Sequence, residues 1–113
     1  MSLSGKQRRY LRSLGHAMNP VVQIGRGGLT DEVIAAIGDA LASHELIKIK
    51  VGSASDLERQ EAAEQAAQAT GAEVAQVLGN TVLLYRRHPE HPVIELPAAE
   101  NRPGNSGPAP GDS

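Results

Sequence analysis

The alternation of apolar and polar positions divides the first 96 residues into seven elements. Leu3, Gln7, Tyr10, Leu11, Leu14 and Met18 share one arc at about 100° per residue, which predicts an amphipathic helix with that arc buried. Its start is marked by Ser4-Gly5-Lys6-Gln7, a capping box with Ser4 as N-cap and Gln7 reaching back. Asn19-Pro20 stops the helix. The apolar run Val21 to Ile24 predicts a strand. After a glycine-rich loop, Thr30 is the N-cap of a second helix with Leu29 and Ile34 as a staple and Val33, Ile34, Ile37 and Leu41 as its buried stripe. Leu46-Ile47-Lys48-Ile49-Lys50-Val51 alternates apolar and cationic residues, the period of a half-buried strand. Ser55-Asp56-Leu57-Glu58 reads as a second capping box, opening an Ala-rich helix that ends near Thr70-Gly71. Glu73 to Leu78 and Thr81 to Arg86 predict a hairpin turning at Gly79-Asn80. Val93 to Leu96 suggests a short extra strand. The order α-β-α-β-α-β-β predicts an α/β fold with a four-stranded mixed sheet packed against helices.

The 113 residues fit one domain, read here as residues 1–96. Residues 97–113 are rich in proline and glycine and poor in apolar groups, and predict a disordered tail. There is no cysteine, so a disulfide framework, a thiolate nucleophile and a Cys-based zinc site are excluded. The N-terminus lacks a signal-like apolar region, and no apolar run approaches the roughly 20 residues that span a bilayer. A cytoplasmic protein with no membrane partner is the expectation.

Charge changes the picture more than composition does. The net charge is −2, but residues 1–30 hold Lys6, Arg8, Arg9, Arg12 and Arg26 with no acid at all. The remaining chain holds six basic and thirteen acidic residues. Lys6, Arg8, Arg9, Arg12, Ser13 and His16 fill the arc of the first helix opposite its apolar one. A solvated helix face normally mixes signs, so an all-cationic one points to a polyanion. Lys48 and Lys50 either extend that surface or simply aid solubility. Whether Arg86 and Arg87 join it is open at this level.

The loop Gly25-Arg26-Gly27-Gly28 lets backbone N–H groups approach a phosphate backbone, with Arg26 as a cationic fork. The same glycines also suit an ordinary strand-to-helix turn. Asp31 and Glu32 compete with phosphate for the N-terminus of the second helix. The loop lacks the Lys-Ser/Thr ending of a P-loop, and a dinucleotide pattern fails at Thr30. His88-Pro89-Glu90-His91 reads as a loop without metal-ligand geometry, and His16 and His44 have ordinary structural readings. No nucleophile or carboxylate pair stands out, so neither catalysis, a cofactor nor a small-molecule substrate is expected. With Tyr10 and Tyr85 as the only aromatics, the chain cannot build a multi-ring base-stacking platform. Contact with RNA is therefore expected mainly at backbone and shape.

Leu3-Ser4-Gly5-Lys6-Gln7-Arg8, Leu11-Arg12, Pro20-Val21-Val22-Gln23-Ile24-Gly25, Gly28-Leu29-Thr30, Glu45-Leu46-Ile47-Lys48 and Leu84-Tyr85-Arg86 resemble the CRM (chloroplast RNA splicing and ribosome maturation) domain, whose stand-alone bacterial form is the YhbY-type protein. The resemblance runs from about Leu3 to Arg87. It implies a fold similar to the C-terminal domain of translation initiation factor three, and a GxxG loop, likened to that of KH domains, on Gly25, Arg26, Gly27 and Gly28. Here Gly27 leaves Arg26 as the loop's only charge. The family's basic first helix falls on Lys6, Arg8, Arg9 and Arg12. The resemblance implies an RNA-binding protein for ribosomal RNA in precursors of the large ribosomal subunit. A monomer is expected separately, since the sheet edges give no strong hint of a dimer. Lys48 completes the expected RNA-binding set. The alternative is a protein-interaction module whose basic helix docks an acidic partner on the ribosome.

Overall fold

The computed structural model describes residues 3–25, 27–52 and 58–98. The chain runs α1 (Gly5–Gly15), β1 (Pro20–Ile24), α2 (Asp31–His44), β2 (Leu46–Val51), α3 (Arg59–Thr70), β3 (Glu73–Leu78) and β4 (Thr81–Tyr85). The four strands form one sheet in the order β1-β2-β4-β3. β1 and β2 are parallel, joined through α2, whereas β4 is antiparallel to both β2 and β3. The expected mixed α/β architecture is the one observed.

Strand alternation splits the core in two. Ile47, Ile49 and Val51 of β2, with Val82 and Leu84 of β4, face α2 and α3 and meet Ile37, Leu41, Ala62, Ala63, Ala66 and Ala67. The four alanines let α3 lie close to the sheet. Leu46, Leu83 and Tyr85 point the other way and pack with Leu11 of α1, Leu3 and Ala75, with Ile94 and Leu96 against them. The sheet is thus sandwiched, with two helices on one face and α1 alone on the other.

Local chemistry sets most element ends. Ser4 accepts from the Gln7 N–H at 3.1 Å and the Gln7 side chain accepts from the Ser4 N–H at 3.1 Å, completing the capping box. Thr30 accepts from the Val33 N–H at 3.2 Å and opens α2. Gly71, at φ +71°, closes α3 in the left-handed conformation that glycine adopts without a Cβ clash. The second predicted capping box lies largely outside the described residues. Where α3 begins at Arg59, its N-cap Glu58 makes no side-chain capping bond.

Val93 to Leu96 forms no strand, which corrects the expectation from its apolar pattern. They belong instead to a strap, residues 87–97, held by one buried carboxylate. Glu45, only 3% exposed, accepts from the N–H groups of His88 (2.8 Å), Val93 (2.9 Å) and Ile94 (2.8 Å). Its own carbonyl accepts from the Arg86 N–H at 2.8 Å. Burial pushes the Glu45 carboxyl up, but the three backbone donors outweigh it and leave it below its ordinary value. Glu45 also sits at φ +63° as the single residue between α2 and β2, a conformation that costs a side-chain-bearing residue about 1–2 kcal/mol. The strap reaches α1 as well, where the Gln7 side chain donates to the Pro97 carbonyl at 3.0 Å. Pro97 and Ala98, assigned to the tail from composition, are described; residues 99–113 lie outside the described residues.

Candidate nucleic-acid interface

α1 carries its cations outward because its seat on the sheet is narrow. Leu11 and Gly15 are buried, four residues apart on one face, whereas Lys6, Arg8, Arg9 and Arg12 are exposed. The helix has no acid in its first turn and Arg12 in its last. Gly15 packs closely on the sheet: a Cβ there would lie 2.6 Å from Leu83 Cδ1 and 2.7 Å from Cδ2, so the Leu83 side chain would have to shift. The structure corrects one part of the predicted apolar arc. Tyr10 and Leu14 are 37% and 38% exposed, so they flank the seat and do not fill it. A single helix lying across a sheet buries a stripe one or two residues wide, and the outer members of a broader apolar arc are left in solvent.

The register links this helix to the glycine loop. Leu83, beneath Gly15, is the cross-strand partner of Lys48, and Lys48 is half-buried on the same sheet face. Two residues on, Lys50 is exposed on that face and pairs in register with Gln23 of β1. Gln23 stands two residues before Gly25. Arg12 and Arg8 lie three and seven residues before Gly15 and share its flank. A row of cationic and amide side chains therefore runs from that flank of α1 over the ends of β2 and β1 to the glycine loop.

The loop itself is a tight turn. The Gly28 N–H donates to the Gly25 carbonyl at 3.0 Å, and the Thr30 N–H donates to the Gly28 carbonyl at 3.1 Å. Gly28 is buried at φ +70°, where a side chain is disfavoured. Gly27 is exposed, and Gly52 ties the neighbouring strand end to the turn by donating from its N–H to the Ile24 carbonyl at 2.8 Å. Arg26 lies outside the described residues. Asp31 and Glu32 occupy the first turn of α2 and are exposed, so the positive end of that helix already has two carboxylates of its own.

Arg86 has a different task, which the sequence left open. Its guanidinium donates to the Thr70 carbonyl at 2.7 Å and the Gly38 carbonyl at 3.1 Å, clamping the end of α3 to α2 on the sheet face away from α1. Arg87 is exposed at the start of the strap. His88 Nδ1 accepts from the N–H groups of Glu90 at 3.1 Å and His91 at 2.9 Å, an ordinary loop closure. Among the described residues no group of three or more His, Cys, Asp or Glu is placed to hold a metal ion. No helix among them is long and apolar enough to cross a membrane.

Known proteins similar to this chain carry RNA-binding names. A Bacillus subtilis protein named "Probable RNA-binding protein YqeI" is 39% identical over 95 residues, covering 84% of this chain and 99% of its own. A Haemophilus influenzae protein named "RNA-binding protein" is 42% identical over 96 residues, covering 85% and 96%. Among solved structures, the solution structure of the hypothetical protein SAV1595 from Staphylococcus aureus is similar with a TM-score of 0.73 at 44% identity, covering 84% of this chain and 99% of that one. The family model of the CRS1 / YhbY (CRM) domain matches residues 3–86, most of the described fold, and the chain belongs to that family.

Proposed function

We propose that this protein is a non-catalytic RNA-binding module that holds structured ribosomal RNA in the cytoplasm during assembly of the large ribosomal subunit. The observation that carries the reading is the cationic row from Arg8 and Arg12 through Lys48 and Lys50 to the glycine turn, on a chain whose net charge is negative. A negative chain does not attract a polyanion by its average. A row of like charges on one face does, because phosphates meet a local field. In this reading the turn at Gly25, Gly27 and Gly28 lets the RNA backbone approach closely, Arg26 supplies a bidentate partner for phosphate, and Lys6, Arg8, Arg9, Arg12 and Lys48 make further phosphate contacts. The RNA-binding names of the relatives support the class of partner; ribosomal RNA is the narrower step.

Two measurements test it. Binding of a precursor ribosomal RNA fragment, titrated from low to high salt, should weaken linearly on a log–log plot. Arg12→Ala and Arg26→Ala should each flatten that slope by about 0.7 to 0.9 per lost phosphate contact. Unchanged affinity and slope in both variants would remove these residues from the interface. In a lysate gradient, the protein should sediment with large-subunit precursors and be released by nuclease; confinement to the top fractions would count against ribosomal association.

A further inference from the structure

Tyr10 and Leu14 are the residues that the buried seat of α1 leaves over. They lie one turn apart on the flank opposite Arg8 and Arg12, with Lys6 a further turn back. Leu14 forms one wall of an open cleft of about 440 Å³, completed by Met18, Val21, Leu46 and Ile94, with Asn19 and His44 also lining it. Val21, on the edge strand, is half exposed. The cleft is therefore apolar, has an exposed aromatic ring one helical turn from its wall, and adjoins a helix whose every charge is positive.

Those three properties select an occupant. Cations on the outer arc of α1 attract a polyanion, and a nucleic-acid strand crossing the helix brings bases as well as phosphates. A cleft of this volume falls in the range of small-ligand pockets and suits one compact planar group. An acidic partner helix would instead require an elongated groove offering successive anchor pockets. Base stacking needs one ring face, and Tyr10 is the exposed aromatic of the pair in the chain, since Tyr85 is buried.

We propose that Tyr10, Leu14 and the adjoining cleft form a site for one unpaired, unstacked nucleobase of the bound RNA. Tyr10 offers its ring face, Leu14 and Met18 the apolar wall, and Asn19 and His44 polar groups for the base edge. The site rests on the RNA-binding reading above and adds to it a contact that phosphate alone does not make. It also revises the expectation from aromatic content: two tyrosines cannot make a platform for several bases, but one is sufficient for a single base.

The test compares two synthetic RNA hairpins, identical except that one carries a single unpaired uridine, titrated with the full chain at several salt concentrations. The wild type should prefer the hairpin with the unpaired base. Tyr10→Ala should lose about tenfold on that hairpin and little on the paired one, with its salt slope unchanged, because stacking releases no counterions. Tyr10→Phe should keep the preference. Since Tyr10 is on the surface, a thermal melt should show Tyr10→Ala folded. Independently of any variant, 5-bromouridine at the unpaired position should crosslink the wild type at the peptide holding Tyr10 and Leu14.

Equal wild-type affinity for the two hairpins, an equal loss on both in Tyr10→Ala, or a crosslink mapping elsewhere would each overturn the base site. So would resonances of Tyr10 and Leu14 that shift with an acidic peptide and stay still with RNA, which would give the cleft to a protein partner. Failure of the wild type to bind either hairpin at any salt would overturn the RNA reading itself. The two failures are separable, since the slope change in Arg12→Ala belongs to the phosphate contacts alone.

Discussion

Glu45 holds more of this fold than any exposed charge does. Three backbone N–H groups of the strap end on its carboxylate, and its own backbone is strained at φ +63°. A strained residue persists where its surroundings over-determine it, and here the carboxylate provides that determination. Glu45→Ala would leave those donors without their acceptor, and urea unfolding should show a loss of about 2–4 kcal/mol. The pH dependence has a definite sign. The carboxyl is held below its ordinary value of 4.5 in the folded chain, so near that pH the unfolded state binds more protons and stability rises with pH. The contribution is fully present above pH 4.5 and is lost as pH falls through the lower folded value. Glu45→Gln should be weaker at neutral pH and lack that acid-side loss. Parallel acid unfolding curves for the wild type and Glu45→Gln would show that the stabilisation comes from elsewhere. None of this is legible in the sequence, where Glu45 is one of thirteen acids and its donors are more than 40 residues away.

At the scale of elements, legibility follows the range of the interaction. The caps at Ser4 and Thr30, the stop at Gly71 and the hairpin at Gly79-Asn80 are set by neighbours a few residues apart, and each stands where its pattern predicts. The width of the buried stripe on α1 is not local. It depends on the sheet beneath, which is why Tyr10 and Leu14 emerged on the surface and why an apolar run after β4 became a strap. Of the candidate interface, the outward cations of α1 could be read from periodicity, whereas the register joining Lys48 to Leu83 and hence to Gly15 could not. That contact makes a prediction. Gly15→Ala drives a methyl group into Leu83, and overpacking of this kind costs about 1–3 kcal/mol, offset by up to about 1 kcal/mol of better helix propensity. A net loss of about 1 kcal/mol is expected in thermal or urea melts. In the Leu83→Ala background, which vacates the space, the same substitution should cost nothing or stabilise. Additive losses in that double-mutant cycle would mean that Gly15 is not seated on Leu83.

For the whole molecule, the sheet separates two electrostatic surfaces. The cations of α1, with Lys48 and Lys50, lie on one face, and α3, with exposed Glu61 and Glu64, packs on the other. Two packed layers of about 10 Å each stand between them, about two and a half times the Debye length of about 8 Å at physiological salt. The acids on α3 are occupied locally: Glu64 accepts from the Gln60 side chain at 3.0 Å and Glu61 from Gln65 at 3.3 Å. Changing both acids, Glu61→Gln with Glu64→Gln, raises the net charge from −2 to 0. If RNA responded to the average charge of the chain, this double variant should bind distinctly tighter. If it is met by the α1 face, affinity near 0.15 M salt should change by less than about twofold, because the altered charges are screened at that distance. Arg8→Ala, which lowers the net charge by only one, should weaken binding more and flatten its salt slope. The two variants thus move net charge in opposite directions by unequal amounts, and only a surface divided by the sheet predicts that the smaller change has the larger effect on RNA. A marked gain in affinity for the α3 variant would place the RNA within reach of both faces and end the assignment of the interface to α1 and the glycine turn.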